Sequence, residues 1–175
     1  MEITRKVAAS GVTVVPYRDE FREAFEQLNR DWIEAYFVLE DPDREVFSDP
    51  RNKILAPGGQ IFFVLEEGQV QGTCAVIRHT KDEYEIAKMA VASTARGRGF
   101  GDLLMQAAIA FATSARARVL IIVSNTVLEP AIRLYQKHGF VRVPLTPDER
   151  YQRANIRLER VIPPMASVER PGAAG

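Results

Sequence analysis

A basic turn rich in glycine stands between a strand pattern and a helix pattern in the second half of the chain. Residues 96–101 read Arg-Gly-Arg-Gly-Phe-Gly. The preceding residues 84–91 are predicted to form a strand, and the apolar residues after the turn recur at helical spacing: Leu103, Leu104, Ala107, Ala108, Phe111 and Ala112. Glycines let the backbone approach a ligand without a Cβ in the way. This order of strand, turn and helix is suited to binding an anion.

The start of a helix attracts anions because its first amide groups have no backbone partners and the helix dipole places partial positive charge there. Arg96 and Arg98 add long-range attraction. Two familiar phosphate motifs do not fit. The Gly-Lys-Ser/Thr of a Walker loop is absent, and Asp102 stands where the dinucleotide fingerprint needs its third glycine. The alternative is a glycine turn that only joins a strand to a helix. The rest of the sequence must distinguish it from an anion-binding turn.

The N-terminal part of the chain is predicted to contain one strand and two helices. Residues 12–17 carry β-branched side chains and are typical of a strand. An apolar helix face follows, formed by Phe21, Phe25, Leu28, Trp32, Tyr36 and Leu39. The sequence 41–43, Asp-Pro-Asp, breaks this helix, and residues 42–48 are predicted to form a short second one.

The rest of the chain predicts a meander followed by a crossover. Strands are expected at 61–65, 70–78, 84–91, 119–123, 140–143 and 155–161, and helices after the glycine turn and from Pro130 to Gly139. The short apolar run 119–123 is typical of a buried parallel strand. The expected fold is therefore α/β, with a central mixed sheet of about six or seven strands flanked by about four helices.

Length and composition indicate one globular domain. The chain has 175 residues, of which 46% are hydrophobic and 26% charged. We expect the domain to span residues 11–162, after a flexible lead-in at 1–10 and before a Pro-rich, disordered tail at 163–175. The formal net charge is zero, which excludes a global basic field for nucleic acid.

The single cysteine, Cys74, excludes an internal disulfide, and with only His79 and His138 a zinc site is not expected, so the predicted metal content is none. No apolar run reaches the length of a membrane span, and the N-terminus makes a poor signal-peptide core. A cytoplasmic protein without membrane contact is expected.

Three segments of the chain occur in the order and spacing of one known superfamily. The pattern Arg-x-x-Gly-x-Gly over 96–101 resembles the pyrophosphate-binding signature of the GNAT superfamily, the acyl-CoA N-acyltransferases. Residues 85–91 resemble its central fourth strand, and Asn125 with residues 134–140 resembles its second motif. Together with the element order, the resemblance covers about residues 12–160. It implies an enzyme, an N-acetyltransferase with acetyl-CoA as co-substrate.

The resemblance also implies where the cofactor lies. Its pantetheine arm is expected to fill a gap between the fourth and fifth strands and to pair with strand backbone, while the glycine turn holds the pyrophosphate. An acetyl carbonyl that points at a strand amide would gain oxyanion stabilisation there. The cofactor-binding residues implied are Met89, Ala90, Val91, Arg96, Gly97, Arg98, Gly99, Phe100, Gly101, Asp102, Asn125 and Tyr135.

Two proton transfers accompany acetylation of an amine by direct attack. Tyr135 is the candidate acid for the departing thiolate, because the superfamily often places a tyrosine on this helix. Glu85 is the candidate base, because it matches the catalytic glutamate of the histone-acetylating branch. The alternatives are a packed helical tyrosine and an exposed strand glutamate. A covalent route through Cys74 is less favoured, since buried cysteine is often only a small apolar residue.

The acceptor is expected to lie against the first helices and the loop before the last strand. Trp32 and Tyr36 suit a flat or apolar acceptor, Glu40 an ammonium and Arg153 a carboxylate. A small-molecule or amino-acid-like amine would fit them. Two alternatives stay open: a protein lysine or N-terminal acetyltransferase, and a non-catalytic coenzyme A-binding sensor. The resemblance favours a homodimer, because edge pairing between subunits is frequent in that superfamily.

Overall fold

The computed structural model describes residues 11–145 and 150–164. The predicted lead-in at 1–10 and residues 165–175 of the predicted tail lie outside the described residues. The strands are β1 (Val12–Pro16), β2 (Gln60–Glu66), β3 (Gln69–Arg78), β4 (Glu83–Val91), β5 (Val119–Ser124), β6 (Val141–Val143) and β7 (Ile156–Val161). The α-helices are α1 (Arg22–Tyr36), α2 (Asp41–Ser48), α3 (Phe100–Ser114) and α4 (Glu129–Lys137).

All seven described strands form one mixed sheet in the order β1-β2-β3-β4-β5-β7-β6. β1 to β4 are antiparallel neighbours, as expected for strands joined by short turns. β5 runs parallel to β4, with α3 as the crossover, and β7 lies antiparallel between β5 and β6. The predicted fold class, the order of elements and the mixed sheet are confirmed.

Several element boundaries differ from the prediction, and two of the differences place a predicted apolar residue outside its element. α1 ends at Tyr36, so Leu39 lies beyond the helix, although its side chain is buried. Phe140 precedes β6 rather than belonging to it, because Gly139 ends α4 with a φ of +84°. In addition, residues 51–55, where no helix is predicted, form one turn of π-helix.

The sheet carries a separate apolar core on each face. α3 and α4 cover one face with buried residues such as Leu104, Met105 and Ala108. The other face packs against α1 and α2, with Phe25, Ile33 and Phe47 inside. The central strands are therefore covered on both sides, as the apolar run of β5 predicts.

β4 contains an extra residue that bends it. Thr73 pairs with Ala90 and Ala75 with Ala87, so β3 advances by two residues while β4 advances by three. Lys88 lies inside this β-bulge with a φ of +52°, a left-handed conformation that is uncommon for a lysine. A bulge increases local twist and turns the strand away from its neighbour.

β4 and β5 separate on the side of this bulge. Their pairing runs only from Glu83 with Val119 to Glu85 with Ile121, although β4 continues to Val91 and β5 to Ser124. Beyond Glu85, this edge of β4 has no strand partner among the described residues. The two strands therefore leave an open wedge at the centre of the sheet.

None of the described helices is long and apolar enough to cross a membrane.

Candidate active site

The wedge between β4 and β5 opens into a cleft of about 520 Å³. Its walls come from β4 and β5, from the glycine turn and the start of α3, from α4, from the end of α1, and from residues 151–154. A single continuous cleft therefore connects the predicted anion-binding turn with the predicted acceptor wall. Most of the sequence-predicted site residues border it; Glu40 and Arg98 are not among its lining residues.

The glycine turn lies between β4 and the start of α3, as its sequence predicts. Gly97 and Gly99 have φ values of +75° and +82°, and α3 begins directly afterwards at Phe100. A Cβ on either glycine would meet no atom within 4 Å, whereas one on Gly101 would come within 2.9 Å of Leu134 Cδ2. The first two glycines are thus required by the backbone turn, and the third by close packing of α3 on α4.

The charged residues of the turn have different environments. Arg96 is exposed at the cleft, whereas Arg98 forms an ion pair with Glu66 and lies 4.9 Å from the centre of the Phe100 ring. Asp102 accepts hydrogen bonds at 2.8 Å from Lys137 and from His138 at the end of α4, and these hold its pKa below the usual range. Since its charge is compensated, Asp102 does not oppose an anion at the helix start.

Tyr135 projects from α4 into the cleft and is only 8% exposed. Burial, together with the nearby Cys74, raises the pKa of its phenol to about 12. Tyr135 therefore keeps its proton throughout the neutral range. Burial also raises the pKa of the Cys74 thiol to about 12, so this cysteine is not a thiolate nucleophile at neutral pH.

Glu85 lies at the point where β4 and β5 part and is only 3% exposed. His79 Nε2 lies 2.6 Å from its Oε2, and Arg150 donates to the same oxygen. Burial alone would raise the pKa of Glu85, but the hydrogen bond with His79 and the positive charge of Arg150 outweigh it and lower the pKa. The structure thus places a buried, ionised carboxylate in the cleft rather than an exposed strand glutamate.

Asn125 uses its side chain within the protein. Its amide nitrogen donates to the Arg153 carbonyl at 2.7 Å, and its oxygen accepts from the Val127 amide at 2.9 Å. Nearby, Asn155 accepts from the Thr126 amide at 2.9 Å. The loop after β5 is therefore tied to the segment that leads into β7.

A buried charge cluster supports the acceptor side of the cleft, with Asp43 at its centre. Asp43 Oδ1 accepts from Lys88 Nζ at 2.5 Å and from Arg153 Nη2 at 2.7 Å. Its Oδ2 accepts from Arg153 Nη1 at 2.7 Å and from the Glu40 amide at 2.9 Å. Burial opposes this charge, but the bonds from Arg153 and Lys88 outweigh it and lower the pKa of Asp43 to about 2.

The four predicted acceptor residues fall into two groups. Trp32 and Tyr36 border the cleft, with the Trp32 indole donating to Asn29 at 3.2 Å. Glu40 and Arg153 bind each other at 3.2 Å, and Glu40 also accepts from the Gln152 amide at 2.9 Å. The carboxylate and guanidinium expected to meet a ligand are thus paired inside the protein.

The sequence patterns did not predict the roles of His79, Arg150, Asp43 and Lys88 in this site. A lysine inside the apolar strand pattern of 84–91 was the available signal, because a buried lysine requires a partner. The hairpin also brings His79 close to Glu85. No local pattern pointed to Asp43 or Arg150, which lie 45 and 65 residues from their partners on β4.

A family model for acetyltransferases of the GNAT family matches residues 19–140, which is more than half of the chain. The chain belongs to the acetyltransferase (GNAT) family. It is therefore an acyltransferase, and acetyl-CoA is its co-substrate. The predictions of family and co-substrate are confirmed, and the prediction of an enzyme is confirmed at the level of an acyltransferase. No curated protein matches the sequence.

Solved structures share the fold at low sequence identity. An acetyltransferase of the GNAT family from Staphylococcus aureus superposes with a TM-score of 0.78 at 15% identity, covering 86% of this chain and 98% of that one. A GNAT family acetyltransferase from Elizabethkingia anophelis with acetyl-CoA bound superposes with a TM-score of 0.66 at 18% identity, covering 88% of this chain and 100% of that one. Ribosomal-protein-alanine N-acetyltransferase from Brucella melitensis superposes with a TM-score of 0.67 at 19% identity, covering 85% of this chain and 99% of that one.

The Asp43 cluster predicts a measurable stability change. We expect Asp43→Asn to lower the free energy of unfolding at pH 7 by about 3 kcal/mol, because Lys88 loses its buried counter-ion. Asp41→Asn is the matched control, since Asp41 is in the same helical turn with its side chain 91% exposed. Denaturant unfolding of both variants measures the difference, and equal stabilities would contradict the role of Asp43.

The pH dependence of the same variant follows from the sign of the shift. The pKa of Asp43 falls from 3.8 to about 2 on folding, so its stabilisation is complete above pH 3.8 and is lost as the pH falls through 2. The parent protein should therefore lose stability more steeply than Asp43→Asn between these pH values.

Proposed function

We propose that the protein transfers the acetyl group of acetyl-CoA to a primary amine, by direct attack within a ternary complex. The acceptor is a small molecule or an amino-acid-like compound. The observation that carries this proposal is the single cleft that runs from the glycine turn, past Glu85 and Tyr135, to an aromatic wall. Both substrates can thus occupy it together.

Residues at one end of the cleft suit the cofactor. The turn from Arg96 to Gly101, with Asp102 in the first turn of α3, offers backbone amides to the pyrophosphate. Met89, Ala90 and Val91 lie on the unpaired edge of β4, where the pantetheine arm would add like a short strand. Asn125 borders the opposite side and, since its side chain is engaged, would act by holding the loop.

The proton transfers have one candidate group each. Glu85 takes a proton from the acceptor ammonium, either directly or through water; no described residue bonds its Oε1. The neutral nitrogen then attacks the thioester carbonyl carbon, so that a C–N bond forms and the C–S bond breaks. Tyr135 gives its proton to the departing sulfur and regains one from the nitrogen, which is cationic after the attack and loses its second proton as the amide forms; Glu85 releases its proton to solvent.

The acceptor meets the other end of the cleft. Trp32 and Tyr36 would contact its body, Arg153 borders this end of the cleft, and Glu40 supports Arg153 from behind.

A cytoplasmic location and a homodimer also remain predictions from the sequence.

A protein acceptor is the second candidate function. The Brucella melitensis neighbour is a ribosomal-protein-alanine N-acetyltransferase, and it shares the fold. A coenzyme A-binding module without catalysis is a third. Coenzyme A release measured with separate pools of amines, amino acids and peptides distinguishes the three. Release with small amines supports the proposal, release with peptides alone supports the second, and tight binding of acetyl-CoA without release supports the third.

Tyr135→Phe tests the acid. We expect kcat to fall about 100-fold with little change in the KM for acetyl-CoA, because the phenol proton serves only the departing sulfur. Tyr84→Phe is the matched control, since Tyr84 is equally buried but does not border the cleft. Steady-state kinetics of coenzyme A release give both constants. A kcat unchanged in Tyr135→Phe would remove Tyr135 from the mechanism.

Glu85→Gln tests the base. We expect a lower rate at neutral pH and a pH–rate profile moved to higher pH, because only acceptor molecules that are already neutral would react. Glu83→Gln on the same strand is the control, because Glu83 does not border the cleft. If the profile of Glu85→Gln matches that of the parent, Glu85 is not the base.

His79→Leu tests how Glu85 is kept ionised, because leucine cannot donate the hydrogen bond that His79 makes to Glu85. This hydrogen bond helps to lower the pKa of Glu85, so its loss should raise that pKa. If Glu85 must be ionised to react, the acidic limb of the kcat/KM profile moves to higher pH. A limb that stays in place would show that His79 has no influence on the base.

A further inference from the structure

The acceptor end of the cleft has a distinctive composition, and an inference about its substrate rests on the proposed function. The name acceptor end is used for the part of the cleft bordered by the aromatic residues Trp32, Tyr36 and Phe37 and by Tyr151 and Arg153. Glu85 and Lys88 border the same cleft from β4.

The first wall is aromatic and lies at the end of α1, with Phe37 directly after the last helical residue; these three residues are called the α1 aromatics. Trp32 packs edge-on against Phe37 with ring centres 6.4 Å apart, and Tyr36 lies 6.3 Å from the same ring. Among the described residues, Tyr151 stacks on none of these three rings, although it borders the same cleft. The cleft is therefore open space that these four aromatic side chains share, and a flat or apolar group can enter it.

The second wall is Tyr151, and two cations fix it. Lys88 Nζ donates to its hydroxyl at 2.9 Å and lies 4.4 Å from the ring centre. The Arg153 guanidinium carbon lies 4.5 Å from the same centre. Since Asp43 holds both cations, the ring is oriented before any acceptor arrives.

The charges at this end compensate one another. Lys88 and Arg153 are balanced by Asp43 and Glu40, with the Lys88 and Asp43 side chains 3% and 0% exposed. Glu85 is balanced by Arg150. No charge that these described residues carry is left to pair with a second charged group on the acceptor, and an unpaired charge buried there would cost binding energy.

We propose that the acceptor is a primary monoamine with an aromatic or extended apolar body and no second charged group. Its body lies between the α1 aromatics and Tyr151, and its nitrogen faces Glu85. This narrows the proposed acceptors away from free amino acids, and it makes Tyr36 and Tyr151 determinants of specificity.

Acceptor preference tests the proposal on the full-length protein. Thiol release from acetyl-CoA is measured with phenethylamine, hexylamine, phenylalanine, spermidine and a short peptide with a free amino terminus. We expect kcat/KM for the first two to exceed that of the other three by about tenfold or more, the effect of leaving one charged or polar group without a partner. Phenethylamine and phenylalanine differ only by a carboxylate, so they form the sharpest pair.

Variants then test the walls. Tyr36→Ala and Tyr151→Leu should raise the KM for phenethylamine roughly 3- to 10-fold, the effect of one aromatic contact. The KM for ethylamine, which is too short to reach both walls, should change little. Tyr151→Phe retains the ring and the two cations beside it, so its KM should rise less than that of Tyr151→Leu. Val38→Ala is the control, since Val38 is 78% exposed on the same segment and lies outside the cleft.

Different failures have different meanings. A preference for phenylalanine, spermidine or the peptide, or unchanged KM values in both wall variants, overturns the inference and leaves acetyl transfer intact. Release with none of the acceptors contradicts the proposed function, and the inference then falls with it. Tyr36→Ala keeps the test valid if Tyr151→Leu fails to fold, because Tyr36 is 55% exposed and is not a residue of the buried core.

Discussion

β4 carries one residue more than β3 across the same stretch of their ladder, and Lys88 occupies that extra position in a left-handed conformation. The bulge bends β4, and its pairing with β5 ends at Glu85 and Ile121. Without this separation the sheet would be continuous, and neither the unpaired strand edge nor the cleft would exist. The glycine turn, which continues from the end of β4, lies on the wall of this same opening, so the bend also places the anion site beside the gap.

The strained lysine does not stand alone, because the surrounding charges hold it in place. A left-handed, buried lysine is costly in two ways, through its backbone and through the desolvation of its ammonium. Asp43 offsets the second cost, since its two oxygens together accept from Lys88, from Arg153 twice and from the Glu40 amide. One carboxylate thereby joins α2, the bulge of β4 and the segment before β7. The shape of the cleft and the acceptor wall depend on the same bonds.

The parts of the site that follow from local patterns could be predicted from the sequence. Gly97 and Gly99 lie between a strand and a helix, and spacing alone was sufficient to indicate a turn there, whereas their positive φ values come from the structure. The environment of Glu85 could not be predicted, because Arg150 reaches it across 65 residues and only the tertiary fold sets that contact. Glu40 and Arg153 show the same limit. Their charges were read as groups for a ligand, whereas in three dimensions they neutralise each other.

The two candidate proton-transfer groups have pKa values that differ in opposite directions from their ordinary ones. Ion pairing and hydrogen bonding lower the pKa of Glu85 despite its burial, and burial raises the pKa of Tyr135 to about 12. Environments that push two such values apart assign a base and an acid within one site. Throughout the neutral range, Glu85 is therefore ionised and Tyr135 protonated, the states that amine deprotonation and thiolate protonation require. A carboxylate with a low pKa is a weak base, however, and it contributes little to the free energy needed to deprotonate an ammonium. A cleft of this kind favours acceptors whose own pKa falls on binding, and burial between apolar walls lowers the pKa of an ammonium. The aromatic acceptor end and the ionised Glu85 thus act in the same direction.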